Sequence, residues 1–278
     1  MNDGRLRPPF PFALLRFWTR QTLPAWCLIA GMIFVFQIAV CGTMHDNERV
    51  RALLSLLEML PSFIKGMFGG DILQPGNTSA LIAIGYQHPL VLVLFMVYAV
   101  GVPTGLLTGE VQRGTMELLL SRPATKTQVY VCAALPTVVG MFALTLVMFA
   151  GTVAGTRLFD FGMPIPLMSF FRTAATGGLM ASAVGGVALL AAASFRRRST
   201  AVGLTVAFLV LNHFVFVFAG WWPLLDSLRN VSLFAFVDGV RIFREHAWPL
   251  DDMGVLLALL LVAGVAGGII WQKRDLPL

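Results

Sequence analysis

Gly109 and Gly114 stand five residues apart in GEVQRGTM, and Thr115 follows them. Glycines before a hydroxyl can build a loop that cradles phosphate, but that loop needs a lysine directly after the second glycine to reach the β- and γ-phosphates. Thr115 occupies that place, so the stretch offers no nucleotide site. A second candidate for chemistry is the pair Asn212 and His213, set inside a long apolar run. Polar side chains at membrane depth are expensive and mark function by default. His213 has no second histidine or carboxylate pair at helical spacing, however, and His45, His88 and His246 fall in or beside loops. The paired-His and Glu-Glu pattern of membrane prenyl-protein endopeptidases is absent. We read Asn212 and His213 as a candidate intramembrane polar site that makes an interhelical hydrogen bond, not as a catalytic group. Cys27, Cys41 and Cys132 lie in apolar runs. An odd number of cysteines there is small apolar filler, which leaves no metal site and no disulfide. The chain is not expected to be an enzyme or to carry a cofactor.

The elements around these residues are dominated by hydrocarbon. Of 278 residues, 57% are hydrophobic and 12% charged, with mean hydropathy +0.80, about half the charge of a soluble domain. The charges leave six intervals almost free of charge, near 21–43, 88–108, 128–153, 171–194, 200–221 and 253–271, with Arg172 at the edge of the fourth. Each is about the 20 residues a helix needs to cross the bilayer core. Only FRRRST separates the fourth from the fifth, and three arginines buried together would cost on the order of 8 to 10 kcal/mol, so the triplet is a turn at the membrane surface. The fold class is therefore an all-α integral membrane protein with six spans, 21–278 forming one permease-sized domain.

Orientation follows from the cations. With Arg196–Arg198 inside, Arg5, Arg7, Arg16, Arg20, Arg113, Arg122, Lys126, Lys273 and Arg274 are inside as well, which makes 12 of the 20 cationic residues. Short cytoplasmic loops collect Lys and Arg, so both termini are expected in the cytoplasm. This bias accounts for the net charge of +6 without a nucleic-acid partner. The first apolar run is long enough to span and lacks a cleavage site, so it reads as a span and not as a signal peptide.

Three amphipathic stretches flank the spans. In residues 1–20, Phe12, Leu14, Leu15, Phe17 and Trp18 alternate with Arg16 and Arg20, the pattern of an elbow helix lying among lipid headgroups. In the first outer loop, Val50, Leu53, Leu54, Leu57 and Leu60 share a helix face while Arg49, Arg51 and Glu58 face water and Pro61 ends the run. In 226–246, Leu228, Val231, Phe234 and Val237 alternate with Asp226, Arg229, Asp238 and Arg241. Short helices over the outer mouth are expected from both. Glycines four apart at 101/105, 151/155 and 264/268 open grooves for neighbouring helices, within the chain or between copies. Phe208, Phe214, Phe216, Phe218, Trp221 and Trp222 thicken toward the outer end of the fifth interval as an aromatic belt does.

The polar run 109–128 remains, between the second and third spans. It offers a short helix capped by Thr115, with Glu117 in its first turn, Leu118, Leu119 and Leu120 for contact, and Pro123 as a stop after Arg122. Two turns are marginal alone in water, so this helix needs a surface to dock on. GEVQRGTMELLLSRPATKTQVY, after a span containing Pro and Gly, resembles the segment E, three or four residues, G-T-x-E-x-L-L-x-x-P of type-2 ATP-binding-cassette exporter permeases. Six spans, the elbow, the outer LPSFIKGMFG and the charge bias are similar to that family over nearly the whole chain. The resemblance implies a coupling helix seated in a separate cytoplasmic ATPase, with Glu110, Arg113, Gly114, Thr115, Glu117, Leu118, Leu119, Arg122 and Pro123 at the contact. It departs from the family in having Lys126, Thr127 and Gln128 where an Arg often follows the Pro. It further implies ATP and Mg on the ATPase partner, pairing with a second copy or a second permease subunit, membrane lipids around it, and a bacterial inner membrane. The alternative is a six-span scaffold or signalling component whose 109–128 segment binds lipid or a non-ATPase partner.

Overall fold

The computed structural model describes residues 10–46, 50, 55, 59, 78–121, 123–162, 164–237 and 239–275. Every described element is helical. The spans are α1 (Phe12–Met44), α3 (Pro89–Thr104) with its continuation, α5 (Lys126–Leu158), α6 (Leu167–Ser194), α7 (Arg198–Trp221) and α9 (Leu250–Lys273). Among the described residues, six helices are long and apolar enough to cross a membrane, and all six intervals read from charge alone fall on them. Between them lie the short helices α2 (Thr78–Gln87), α4 (Thr115–Leu120) and α8 (Gly239–Glu245), and 3-10 turns at Pro223–Val231 and Leu233–Phe236. Of the amphipathic helix expected over 49–61, only Val50, Ser55 and Met59 are described, and the LPSFIKGMFG segment, Arg122 and Asp238 lie outside the described residues.

Two helices are longer than hydropathy suggests. α1 and α5 have 33 residues each, or about 50 Å at 1.5 Å per residue, against roughly 30 Å of hydrocarbon. The elbow expected before residue 21 is thus the first part of α1 and runs into the span without a break, because Pro24 lies inside the helix and does not end it. Trp18 is buried there while Phe12 and Phe17 are exposed. α2 leads into α3 through one extended residue, His88, whose Nδ1 accepts the Leu90 amide at 3.2 Å while Pro89 opens the new helix. That cap lets the chain bend without orphaning an amide.

α6 is the centre of the bundle. Its sequence, rich in Gly, Ala and Ser, is buried on nearly every side from Phe170 to Ala193, which is the behaviour of a helix with no polar face. Small residues let its neighbours approach to backbone distance. A Cβ on Gly186 would meet the Leu260 carbonyl of α9 at 3.1 Å, and one on Gly185 the Thr137 Cγ2 of α5 at 3.0 Å. The glycine pairs flagged in sequence divide. A Cβ on Gly151 would lie 3.0 Å from the Phe34 carbonyl and one on Gly155 2.6 Å from Cys41 Cβ, so this pair is spent on seating α5 against α1. Gly267 of α9 meets the Leu190 Cα at 3.0 Å. Gly101 meets nothing within 4 Å. The pair at 151/155 therefore belongs to packing inside one chain, whereas Gly264, like Gly101, meets nothing within 4 Å and the close approach on α9 is made by Gly267.

Gly155→Leu should destabilise the bundle by about 1–3 kcal/mol, the usual cost of overpacking, seen as a lower melting temperature in detergent. Gly101→Ala, where the added methyl meets open space, should melt no lower than the parent chain.

Candidate functional site

The polar run closes the end of the bundle at which α3 stops and α5 begins. After Thr104 the backbone widens into a π-turn over Gly105–Gly109 and then makes one α-helical turn, Glu110–Gln112. A π-turn inserts one residue into the helical register and is common where a helix serves a function. Its Thr108 hydroxyl is buried and donates to the Ala192 carbonyl of α6 at 3.0 Å. The chain then reverses at Gly114, whose φ of +74° is left-handed, a region open to glycine at little cost.

A clasp holds this reversal. The Arg113 guanidinium and the Thr115 hydroxyl both donate to the Glu110 carboxylate. Glu110 is buried and Arg113 is half exposed. This corrects two expectations. Thr115 does not cap α4; Gly114 holds the cap position and makes no side-chain bond, because the Thr115 hydroxyl is drawn back to Glu110. Glu110 does not face outward; the backbone turn folds it under the helix, where its buried carboxylate braces the hairpin.

α4 itself is anchored through Met116, which is 2% exposed, with Leu119 and Leu120 packed half-buried against the core. Gly114, Glu117, Leu118, Ser121 and Pro123 face out, and Leu118 is 68% exposed. The helix ends at Leu120, with Ser121 at its cap, two residues before Pro123. An apolar side chain thus stands uncovered beside a carboxylate on a rigidly seated ridge. The next helix starts from a capping box in which Thr125 accepts the Gln128 amide at 3.2 Å and Gln128 accepts the Thr125 amide at 3.0 Å.

Both roots of the hairpin are tied to other spans. On the first side, the Gln112 carboxamide accepts the Arg198 amide at 3.2 Å, and the Arg198 guanidinium donates to the Gly101 carbonyl at 3.5 Å. On the second, Lys126 Nζ donates to the Arg274 carbonyl at 2.7 Å and Gln272 to the Thr127 hydroxyl at 2.8 Å. Arg274 reaches the last carbonyls of α6. Burial, and then the charge of Arg196, lower the pKa of its guanidinium from the ordinary arginine value. The cationic segments 113–126, 196–198 and 273–274, grouped in sequence only by sign, are therefore grouped in space at one end. Sequence reading missed Thr108, Met116 and Gln112 as structural members, and saw Lys126, Arg198 and Arg274 only as charges. The one available signal was the aromatic-then-cation ending Trp271-Gln272-Lys273-Arg274 at the close of a helix.

The intramembrane pair sits apart from this end. The Asn212 side-chain oxygen accepts the Leu233 amide at 2.9 Å and its carbonyl accepts the Ser232 hydroxyl at 2.9 Å. The interhelical bond expected of it thus goes to the short turn after α7, not to another span. His213 lies edge-on to Phe234 with ring centres 5.1 Å apart. Phe214, Phe218 and Trp222 stack in sequence along α7 at 5.7 and 5.6 Å. No group of His, Cys, Asp or Glu suited to a metal occurs among the described residues.

Residues 23–239 match the sequence model of a family described as ABC-2 family transporter protein. The match stops before α9. No curated protein matches the chain.

Removing the clasp should loosen the hairpin without unfolding the bundle. A hydrogen bond to a charged group contributes about 1.5–3 kcal/mol, so Glu110→Ala should speed amide exchange over 111–121 by about tenfold or more, while α6 amides keep their protection in the same hydrogen-exchange experiment.

Proposed function

The chain belongs to the ABC-2 family of transporter proteins, and from that premise we propose that it is the membrane subunit of an exporter, driven by a separate ATP-binding-cassette ATPase that docks on α4. The chain supplies no nucleotide chemistry. ATP and Mg bind the ATPase, and the permease converts the movement of that partner into movement of its spans.

The observation that carries this reading is the outward ridge of α4. Leu118 is exposed next to Glu117 and Gly114 on a helix whose inner face is pinned by Met116. A seated apolar residue with a charged neighbour is the makeup of an interface anchor. The αL glycine keeps that surface free of a side chain, so a partner can approach the backbone. Arg113, Gly114, Glu117, Leu118 and Pro123 form the contact, with Arg122 beside them in sequence; Glu110 and Thr115 set its shape from beneath, and Leu119 packs half-buried behind it.

The orientation follows from the same end. The hairpin, the Arg196–Arg198 turn and Lys273–Arg274 share one pole of the bundle, and the positive-inside tendency assigns that pole to the cytoplasm of a bacterial inner membrane. Two such membrane subunits, identical or not, form the transport unit, with lipid on their remaining faces. The second reading, a six-span scaffold or signalling component whose hairpin binds lipid or a non-ATPase partner, draws on the same cations and on the same exposed Leu118.

Purified from its native membrane in mild detergent, the tagged chain should bring down a stoichiometric ATPase. Leu118→Asp should weaken that association by about 30-fold or more, as loss of an interface anchor does, and Glu117→Lys should weaken it as well. A chain that comes down alone would favour the scaffold reading instead, and one that keeps its ATPase in both variants would place the docking surface away from α4.

A further inference from the structure

We propose that Arg274 is a positioning residue for the hairpin, and that the end of α9 is a third root through which hairpin movement passes into α6. This rests on the coupling role given to α4 above, but the contacts belong to α9, beyond the residues matched by the family.

The last turn of a helix leaves its final carbonyls without intrahelical donors. At the end of α6, the Phe195 amide takes Ala191. Arg274 Nη1 takes Ala192 at 3.2 Å and Ala193 at 3.0 Å, and Thr108 Oγ1 also takes Ala192 at 3.0 Å. One pair of carbonyls therefore receives a side chain from the π-turn at the first root and one from the carboxyl-terminal end of α9. Arg274 in turn offers its own carbonyl to Lys126, the first residue of α5 and the second root. The chain of contacts is closed: π-turn to α6, α6 to Arg274, Arg274 to Lys126, and Lys126 to the hairpin.

Arg274 is held in that place from its own side. Its guanidinium lies 5.6 Å from the Trp271 ring centre, Trp271 is fully buried, and Gln272 bonds Thr127. A cation at a helix carboxyl terminus is favourable through the helix dipole, but charge alone does not explain the arrangement. Nη1 alone serves both carbonyls while the guanidinium lies over the indole; that ring contact of a planar cation is arginine chemistry, and lysine does not reproduce it. Moving α4 therefore displaces the end of α6 along with the roots of α3 and α5. Without Arg274, the start of α5 loses its bonded route to the end of α6, and the two helices are held to each other by packing such as Gly185 on Thr137.

The test separates a positioning role from simple capping. Spin labels are placed at Ser121 on the hairpin and Ser194 at the end of α6, both exposed, with Cys27, Cys41 and Cys132 replaced by alanine. Distances are read by pulsed electron resonance on spin-diluted protein in nanodiscs. In the chain alone, Arg274→Ala should broaden the Ser121–Ser194 distribution. In the ATPase complex, the distance should be the same before and after trapping with ATP and vanadate when Arg274 is present, and should change on trapping in Arg274→Ala and in the milder Arg274→Lys. A distance that changes on trapping in the parent chain, a distribution that Arg274→Ala leaves alone, or a lysine that behaves as arginine would each overturn the proposal. Absence of any ATPase would defeat the coupling reading instead, and the measurement on the chain alone would still judge the brace.

Discussion

The bundle depends on how the end of α6 is closed. A helix buried on all sides in an apolar medium has no water to accept from, and each unsatisfied carbonyl there costs several kcal/mol. Ala191 is met by the amide of Phe195, the helix's own cap, while the Ala192 and Ala193 carbonyls are met from other helices, by Thr108 and Arg274. This single requirement fixes the π-turn of α3, the end of α9 and the start of α5 around one point. The hairpin is suspended from that point on both sides.

The same medium explains why the fixing is polar. Helices in lipid gain no hydrophobic driving force from touching each other, and their interfaces rest on close packing and hydrogen bonds. Glycine contacts such as Gly155 on Cys41 and Gly267 on Leu190 set the separation of the helices, but smooth surfaces of small residues do not resist sliding along the axis. Directed bonds do. Trp26 to the Gly140 carbonyl at 2.9 Å, Tyr98 to the Pro136 carbonyl at 2.9 Å and Tyr130 to the Gly264 carbonyl at 2.7 Å each pin one span to another at a definite height. Pro136 lacks an amide, which loosens the α5 ladder locally, and Tyr98 donates to the carbonyl of that same residue.

Much of this was legible in the sequence because the physics was local and repetitive. Six apolar intervals, an arginine triplet that could not be buried, and a polar run with a glycine and a proline at its ends required no knowledge of tertiary contacts. What could not be read was where a side chain turns. Glu110 looks like a surface carboxylate and Thr115 like a cap, yet one left-handed residue between them brings the hydroxyl back onto the carboxylate. The glycine pairs looked equivalent, yet only those facing a neighbouring backbone are used in packing. The length of α1 was missed for a related reason. Arg16 and Arg20 interrupt the hydropathy but not the helix, since an exposed arginine is a good helix former. Arg274 was read as a topology signal because its acceptors lie more than 80 positions away in sequence.

The two poles of the bundle are held differently. The pole opposite the hairpin is joined largely through rings: Tyr86 with Phe170, Phe170 with Phe243, Phe149 with Phe171, and Phe171 with Trp248, at centre distances from 4.8 to 5.9 Å. Arg172 lies over Trp248 at 5.9 Å, and directed links run among the rings: Tyr86 with Thr152 at 2.6 Å, Gln87 donating to the Val237 carbonyl at 3.0 Å, Ser169 with His246 at 3.2 Å and Arg241 with Asp252 at 3.4 Å. Aromatic pairs are attractive over a range of angles and offsets, so the ring contacts restrain helix tilt less than these directed bonds do.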